Sequence, residues 1–190
     1  MKKIVFLLLI TGTIACHFNS TNTNVKQTAN AIKKVGSSAA FDSSFGKLLS
    51  DYFQLKDNFI VESDTMISFY SRALMKDADS LNIDDIKADS AVTEIAKMNA
   101  ESISAELQGL LEETTLENKR KSFYTMSEQL YELIKAVQYN KTVVYQLHCP
   151  MAFDGEGANW LNNSTEIKNP YIPKKMINCG SVKDTLDFTK

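Results

Sequence analysis

His148-Cys149-Pro150-Met151 and Met176-Ile177-Asn178-Cys179 hold two of the three cysteines and two of the seven methionines in the chain. Two thiolates and two thioethers make a soft ligand set. Such sulfur donors select Cu(I), and Ag(I) by the same logic, over hard cations. Met176 and Cys179 are three apart, a spacing that places both on one face of a helical turn. On an extended backbone Cys149 and Met151 share a side, with His148 opposite unless the chain turns at Pro150. His148 is therefore an added or alternative ligand to Cys149, Met151, Met176 and Cys179. Zinc through Cys149, Cys179 and His148 needs a fourth group and leaves the methionines unexplained. A catalytic cysteine lacks any base and orienting partner in the pattern, and no acid–base pair or nucleophile constellation emerges, so the chain does not read as an enzyme.

Thr142 to Leu147 is β-branched and aromatic with partial alternation, which predicts a strand delivering Cys149 at its end. Pro150 offers no N–H and cannot continue a central ladder. Asp154-Gly155-Glu156-Gly157 reads as a tight turn and Asn169-Pro170 as a second turn. Trp160 is expected to pack this segment onto the rest of the fold. Gly180 suggests a turn, followed by a short strand at Ser181–Val182.

Upstream, Phe45, Leu48, Leu49, Tyr52, Phe53, Phe59 and Ile60 recur at helical spacing. Ser63 or Asp64 caps a second helix carrying Ile67, Tyr70, Leu74 and Leu81. Asp84 or Asp85 opens a third, with Ala91, Ile95, Met98, Ser102 and Ala105 as its stripe. Thr114 with Glu117 matches a capping box and starts a fourth, whose stripe is Phe123, Met126, Leu130, Leu133 and Val137. Met66, Met75, Met98 and Met126 read as core fillers. Four amphipathic helices on short links predict a mainly α fold: an antiparallel four-helix up-down bundle with a small β/irregular C-terminal cap. All three prolines lie after residue 149, and seven glycines are few for an all-β chain.

The N-terminus reads differently. Met1-Lys2-Lys3 is basic, and Ile4 to Ile10 is apolar but too short to span a bilayer, which takes about 20 residues. Residues 1–15 fit a secretory signal. Ala15 before Cys16 resembles the lipobox of bacterial lipoproteins, in which the cysteine is lipidated and becomes the new N-terminus. Thr13 stands where leucine is usual. Residues 16–42 then read as lipid anchor and flexible polar tether, leaving residues 43–190 as bundle and cap. The expected location is outside the cytoplasm, lipid-anchored to an envelope membrane and facing the periplasm, with the anchor as the sole membrane contact. A formal net charge of −2 gives no electrostatic reason to expect nucleic acid as a partner. In an oxidising compartment Cys149 and Cys179 are also disulfide candidates. Spacing alone leaves disulfide and metal site both open.

His-Cys-Pro-Met-Ala-Phe (148–153), Gly-Ala-Asn-Trp-Leu (157–161), Asn-Pro-Tyr (169–171) and Met-x-x-Cys-Gly (176–180) resemble an exported bacterial family of unknown function, DUF3347. Leu48–Tyr52 and Ser127–Leu133 resemble its helices, so the resemblance covers about residues 45–185. Pro173 departs from the pattern, standing where the family has glycine. Members occur alone and appended to periplasmic adaptor subunits of copper/silver efflux pumps. The resemblance implies a lipoprotein that binds Cu(I) or a similar soft ion outside the cytoplasm. It implies buffering of the ion or transfer to an efflux adaptor or other envelope protein. The competing expectation is a non-metal envelope interaction module whose cap is locked by a Cys149–Cys179 disulfide.

Overall fold

The computed structural model describes residues 34–190. The expected signal, the lipidation at Cys16 and the tether before Lys34 lie outside the described residues. Residues 34–42, expected in the tether, are structured. Gly36–Ser37 (β1) pairs antiparallel with Ile86–Lys87 (β2), and Val35 is buried. Ser38 then caps helix α1 (Ala39–Val61), its side chain accepting from Phe41 N–H at 3.0 Å. A capped start with an apolar stripe is enough to extend α1 four residues before the expected boundary.

Four long helices pack together: α1, α2 (Asp64–Asp79), α3 (Ser90–Glu112) and α4 (Leu116–Val137). Helix α1 buries Phe45, Leu48, Leu49, Tyr52, Leu55 and Phe59 along one stripe. The stripe expected of α4 is fully buried, and Phe123 stacks on Tyr52 of α1 at 5.5 Å and leans on Phe59 at 4.8 Å. Glu62, in the left-handed conformation, ends α1, and α2 begins two residues later.

Helix α3 differs from expectation in start and in face. Asp84 and Asp85 do not open it. They sit in a 3₁₀ turn (Ile83–Asp85) that leads into β2, and Ser38 donates to the Asp85 carboxylate at 3.1 Å. The cap is Asp89, accepting from Val92 N–H at 3.0 Å. The buried stripe is Ala96, Ala100, Ile103, Leu107 and Leu110, while Ile95 and Met98 are 51% and 58% exposed. Two stripes compete on this helix. The one that wins buries the larger leucines of the C-terminal half and brings small Ala96 and Ala100 to the neighbouring helices. Met66 is likewise exposed, so the core-filler reading holds for Met126 and, half-buried, for Met75, and fails for Met66 and Met98. Helix α4 is capped by Thr115, not Thr114. Thr115 accepts from Asn118 N–H at 3.2 Å, which removes Glu117 from the expected capping box.

After α4 the chain forms an antiparallel three-stranded sheet: β3 (Val144–Cys149), β4 (Ala158–Asn162) and β5 (Ser181–Leu186), in the order β4-β3-β5. A four-residue helix, α5 (Pro173–Met176), precedes β5. No helix among the described residues is long and apolar enough to cross a membrane.

Candidate functional site

Cys149 is the last residue of the central strand, and the chain leaves the ladder at Pro150. Cys179 lies 30 residues on, just before β5. The fold brings the two sulfurs to 2.7 Å from each other as free thiols. Cys149 is fully buried and Cys179 is half-buried.

Three devices set this approach. The first is Gly180, at φ 149°. A Cβ there would lie 2.8 Å from the Trp160 ring and 3.0 Å from the His148 carbonyl, so only glycine lets the chain pass flat beside β3. The second is Asn169, buried at 0% exposure. Its Oδ1 accepts from Tyr171 N–H at 2.8 Å and Ile172 N–H at 3.3 Å, while its Nδ2 donates to the Cys179 carbonyl at 3.1 Å. One side chain thus folds the Asn-Pro-Tyr turn and fixes the backbone that carries Cys179. The third is the segment after Pro150. Met151 N–H donates to the Cys179 sulfur, and Phe153 is held at φ 51°, a region bulky residues rarely use. Its ring packs on Tyr171 at 5.3 Å and on Tyr124 at 6.2 Å. Gly155 and Gly157 N–H both donate to the Ala152 carbonyl, at 3.2 and 3.0 Å.

The cap is fastened to the helices along the outer edge of β4. Leu161 N–H donates to Tyr52 Oη of α1 at 2.8 Å, and Tyr52 Oη lies 2.9 Å from Ser127 Oγ. The Ser127 proton is committed to the Phe123 carbonyl at 2.7 Å, so Tyr52 is the donor to Ser127. Two residues before Leu161, the Asn159 carbonyl on the same edge accepts from Tyr171 Oη. Arg120 of α4 donates to the Pro170 carbonyl at 2.9 Å and to Glu62 at 3.0 Å, and Glu62 also pairs with Lys174. Asn169, Tyr171, Tyr52 and Arg120 were not singled out from the sequence as site residues. Asn directly before Pro was the one signal, since its free Oδ1 can close a turn.

Of the five candidate ligands, Cys149 and Cys179 meet. Met151 and Met176 flank Cys179 through the backbone: the Met151 N–H reaches its sulfur, and the Met176 carbonyl accepts its N–H at 3.0 Å. The two residues are 52% and 42% exposed. Met151 also lines a cleft of about 320 Å³ with Arg120, Phe153 and Tyr171. His148 is engaged elsewhere. Its Nδ1 is 2.8 Å from Asn159 Oδ1, and Asn159 Nδ2 donates to Glu128 at 3.0 Å. Gly157 leaves the room its ring needs, since a Cβ there would come within 2.8 Å of Cε1. Among the described residues no group of three or more His, Cys, Asp or Glu side chains is placed to hold a metal. The zinc set of Cys149, Cys179 and His148 is therefore not assembled.

Donor chemistry and spacing speak differently about a metal. Thiolate with thioether fits a soft ion. Two sulfurs on a tetrahedral zinc, at about 2.3 Å each, stand about 3.8 Å apart. A disulfide sets them about 2.05 Å apart. The observed 2.7 Å lies nearer the second, so a tetrahedral zinc would require the pair to open by about 1 Å. Residues 174–178, which lead into Cys179, are all exposed and so can yield. Burial and the hydrogen bond from Cys149 keep the Cys179 thiol above its usual range, the bond being the larger cause.

The family described as "Protein of unknown function (DUF3347)" matches residues 48–142, half of the chain. The match runs from α1 to just before β3. No curated protein and no solved structure matches the chain.

Proposed function

The chain belongs to the DUF3347 family of proteins of unknown function, and on that premise we propose that it is an exported, lipid-anchored protein that binds Cu(I) or a similar soft ion in its C-terminal cap. The observation that carries this reading is the meeting of Cys149 and Cys179, with backbone groups of Met151 and Met176 hydrogen-bonded to Cys179. The thiolates of Cys149 and Cys179 are the primary ligands, and the thioethers of Met151 and Met176 complete the set from the solvent side. These thioethers are soft donors that a cation of the same character would draw in. His148 takes a supporting place on the other side of β3. The four helices, in up-down order, are the scaffold, and Cys16 is the lipid attachment. The ion is buffered or handed to an efflux adaptor or another envelope protein, and no chemical step is required of the chain.

The closeness of the two sulfurs favours one competing reading, a disulfide-locked module that docks on an envelope protein without metal. Cu(I) titration against a competing chelator separates the two. The full-length chain carrying Cys16→Ser, fully reduced, is expected to take one tight equivalent, and Cys149→Ser/Cys179→Ser in the same background is expected to lose it. Equal binding by both, or none by the reduced chain, rejects the metal site.

A further inference from the structure

The two cap thiols differ in access as sharply as in position. Cys149 is buried at the end of the central strand at 0% exposure, whereas Cys179 is only partly buried, with Met151 N–H directed at its sulfur. Thiol–disulfide exchange depends on which sulfur an external reagent can reach and on whether a second thiol is near enough to resolve the mixed product. We infer that Cys149 and Cys179 are a reversible dithiol–disulfide couple in which Cys179 exchanges with small external disulfides and Cys149 resolves the mixed product.

The steps balance with a small organic disulfide as oxidant. Cys179 gives up its proton and attacks one sulfur of the external disulfide. A mixed disulfide forms on Cys179, and one thiolate leaves. Cys149 then loses its proton and attacks the Cys179 sulfur, which the fold places 2.7 Å away. The Cys149–Cys179 bond forms and the second thiolate departs. The protein has lost two protons and two electrons, and the external disulfide has become two thiols. A dithiol reductant reverses the sequence. The hydrogen bonds of Asn169 to the Cys179 carbonyl and of Met151 to the Cys179 sulfur hold the pair together in the reduced state. Closure therefore needs little backbone movement. It also consumes both primary ligands of the proposed metal site, although the couple rests on the sulfur geometry and not on the metal reading.

The test uses the full-length chain carrying Cys16→Ser, reduced, mixed without oxygen with oxidised glutathione, quenched in acid and mapped by peptide mass. The parent is expected to close to the Cys149–Cys179 disulfide with no lasting adduct and to recover both thiols with dithiothreitol. Adding Cys149→Ser is expected to trap a stable glutathione adduct on Cys179. Adding Cys179→Ser leaves only the buried sulfur, which should react at least about tenfold more slowly. A brief alkylation pulse on the reduced parent should label Cys179 before Cys149. This arm needs no substitution in the cap and so decides the case even where a variant misfolds. Equal labelling of both sulfurs, or adducts that accumulate on the parent without closing, overturns the inference. Failure of the reduced chain to bind Cu(I) would remove the proposed function and leave these outcomes unchanged.

Discussion

At the scale of the residue, the cap is a competition for protons on sulfur. The Cys179 thiol is pushed above its usual range, first by its hydrogen bond with Cys149 and then by burial. It is protonated at neutral pH, and a metal can take it as a ligand only by displacing that proton. Each displaced proton raises the apparent affinity about tenfold per pH unit. Cu(I) competition between pH 6 and pH 8 should therefore show binding that tightens by at least about tenfold per unit as pH rises. A flat profile would mean that thioethers alone hold the ion and that Cys179 is not a ligand. The same raised thiol slows attack on external disulfides at neutral pH, because the thiolate is the nucleophile. The proposed exchange and the proposed metal binding would therefore draw on one thiolate population.

At the scale of the element, Asn169 decides whether the two halves of the site meet. It is buried, and it supplies an acceptor to two backbone N–H groups and a donor to the Cys179 carbonyl. Asn169→Leu keeps the volume and orphans all three groups, each of which costs about 1–3 kcal/mol when left unsatisfied inside. The variant should lose at least that much stability in denaturant unfolding, and its Cys149–Cys179 disulfide should close more slowly than in the parent. Stability within about 0.5 kcal/mol of the parent would show that the turn folds without its asparagine. Asn169 also shows where the sequence was readable and where it was not. The helices α1 and α4 were legible because each has a single apolar stripe that large side chains dominate. The face of α3 was not, since Ile95 and Met98 spell a stripe as regular as the buried Ile103 and Leu107. Tertiary area decided between them. Strand β3 and the pairing of Cys149 with Cys179 were open to a local reading as candidates. The partners that enforce the pairing come from chain positions far away, as Tyr52 does for Leu161 across 109 residues, and no local pattern announces them.

At the scale of the whole molecule, the cap and the helices share one core. Phe123 of α4 touches Tyr52, Phe59 and Tyr171, and Tyr171 stands edge-on to Trp160 at 6.1 Å. The chain of hydrogen bonds from Leu161 N–H through Tyr52 and Ser127 to the Phe123 carbonyl runs through the same place. The cap therefore cannot loosen without exposing the apolar centre of the bundle, and the two should unfold together. A bond between Cys149 and Cys179 closes a loop of about 30 residues, which in the chain-entropy model stabilises the native state by about 3–4 kcal/mol. For a domain of this size that corresponds to a rise in Tm on the order of 10 °C. Calorimetry of the reduced and oxidised forms should show one transition in each, with the oxidised one higher by about that amount. Two transitions, of which oxidation moves only one, would mean that the cap is an independent unit and that the shared aromatic core does not couple it to the helices. A single unmoved transition would mean that closing the bond strains the cap enough to cancel the entropic gain.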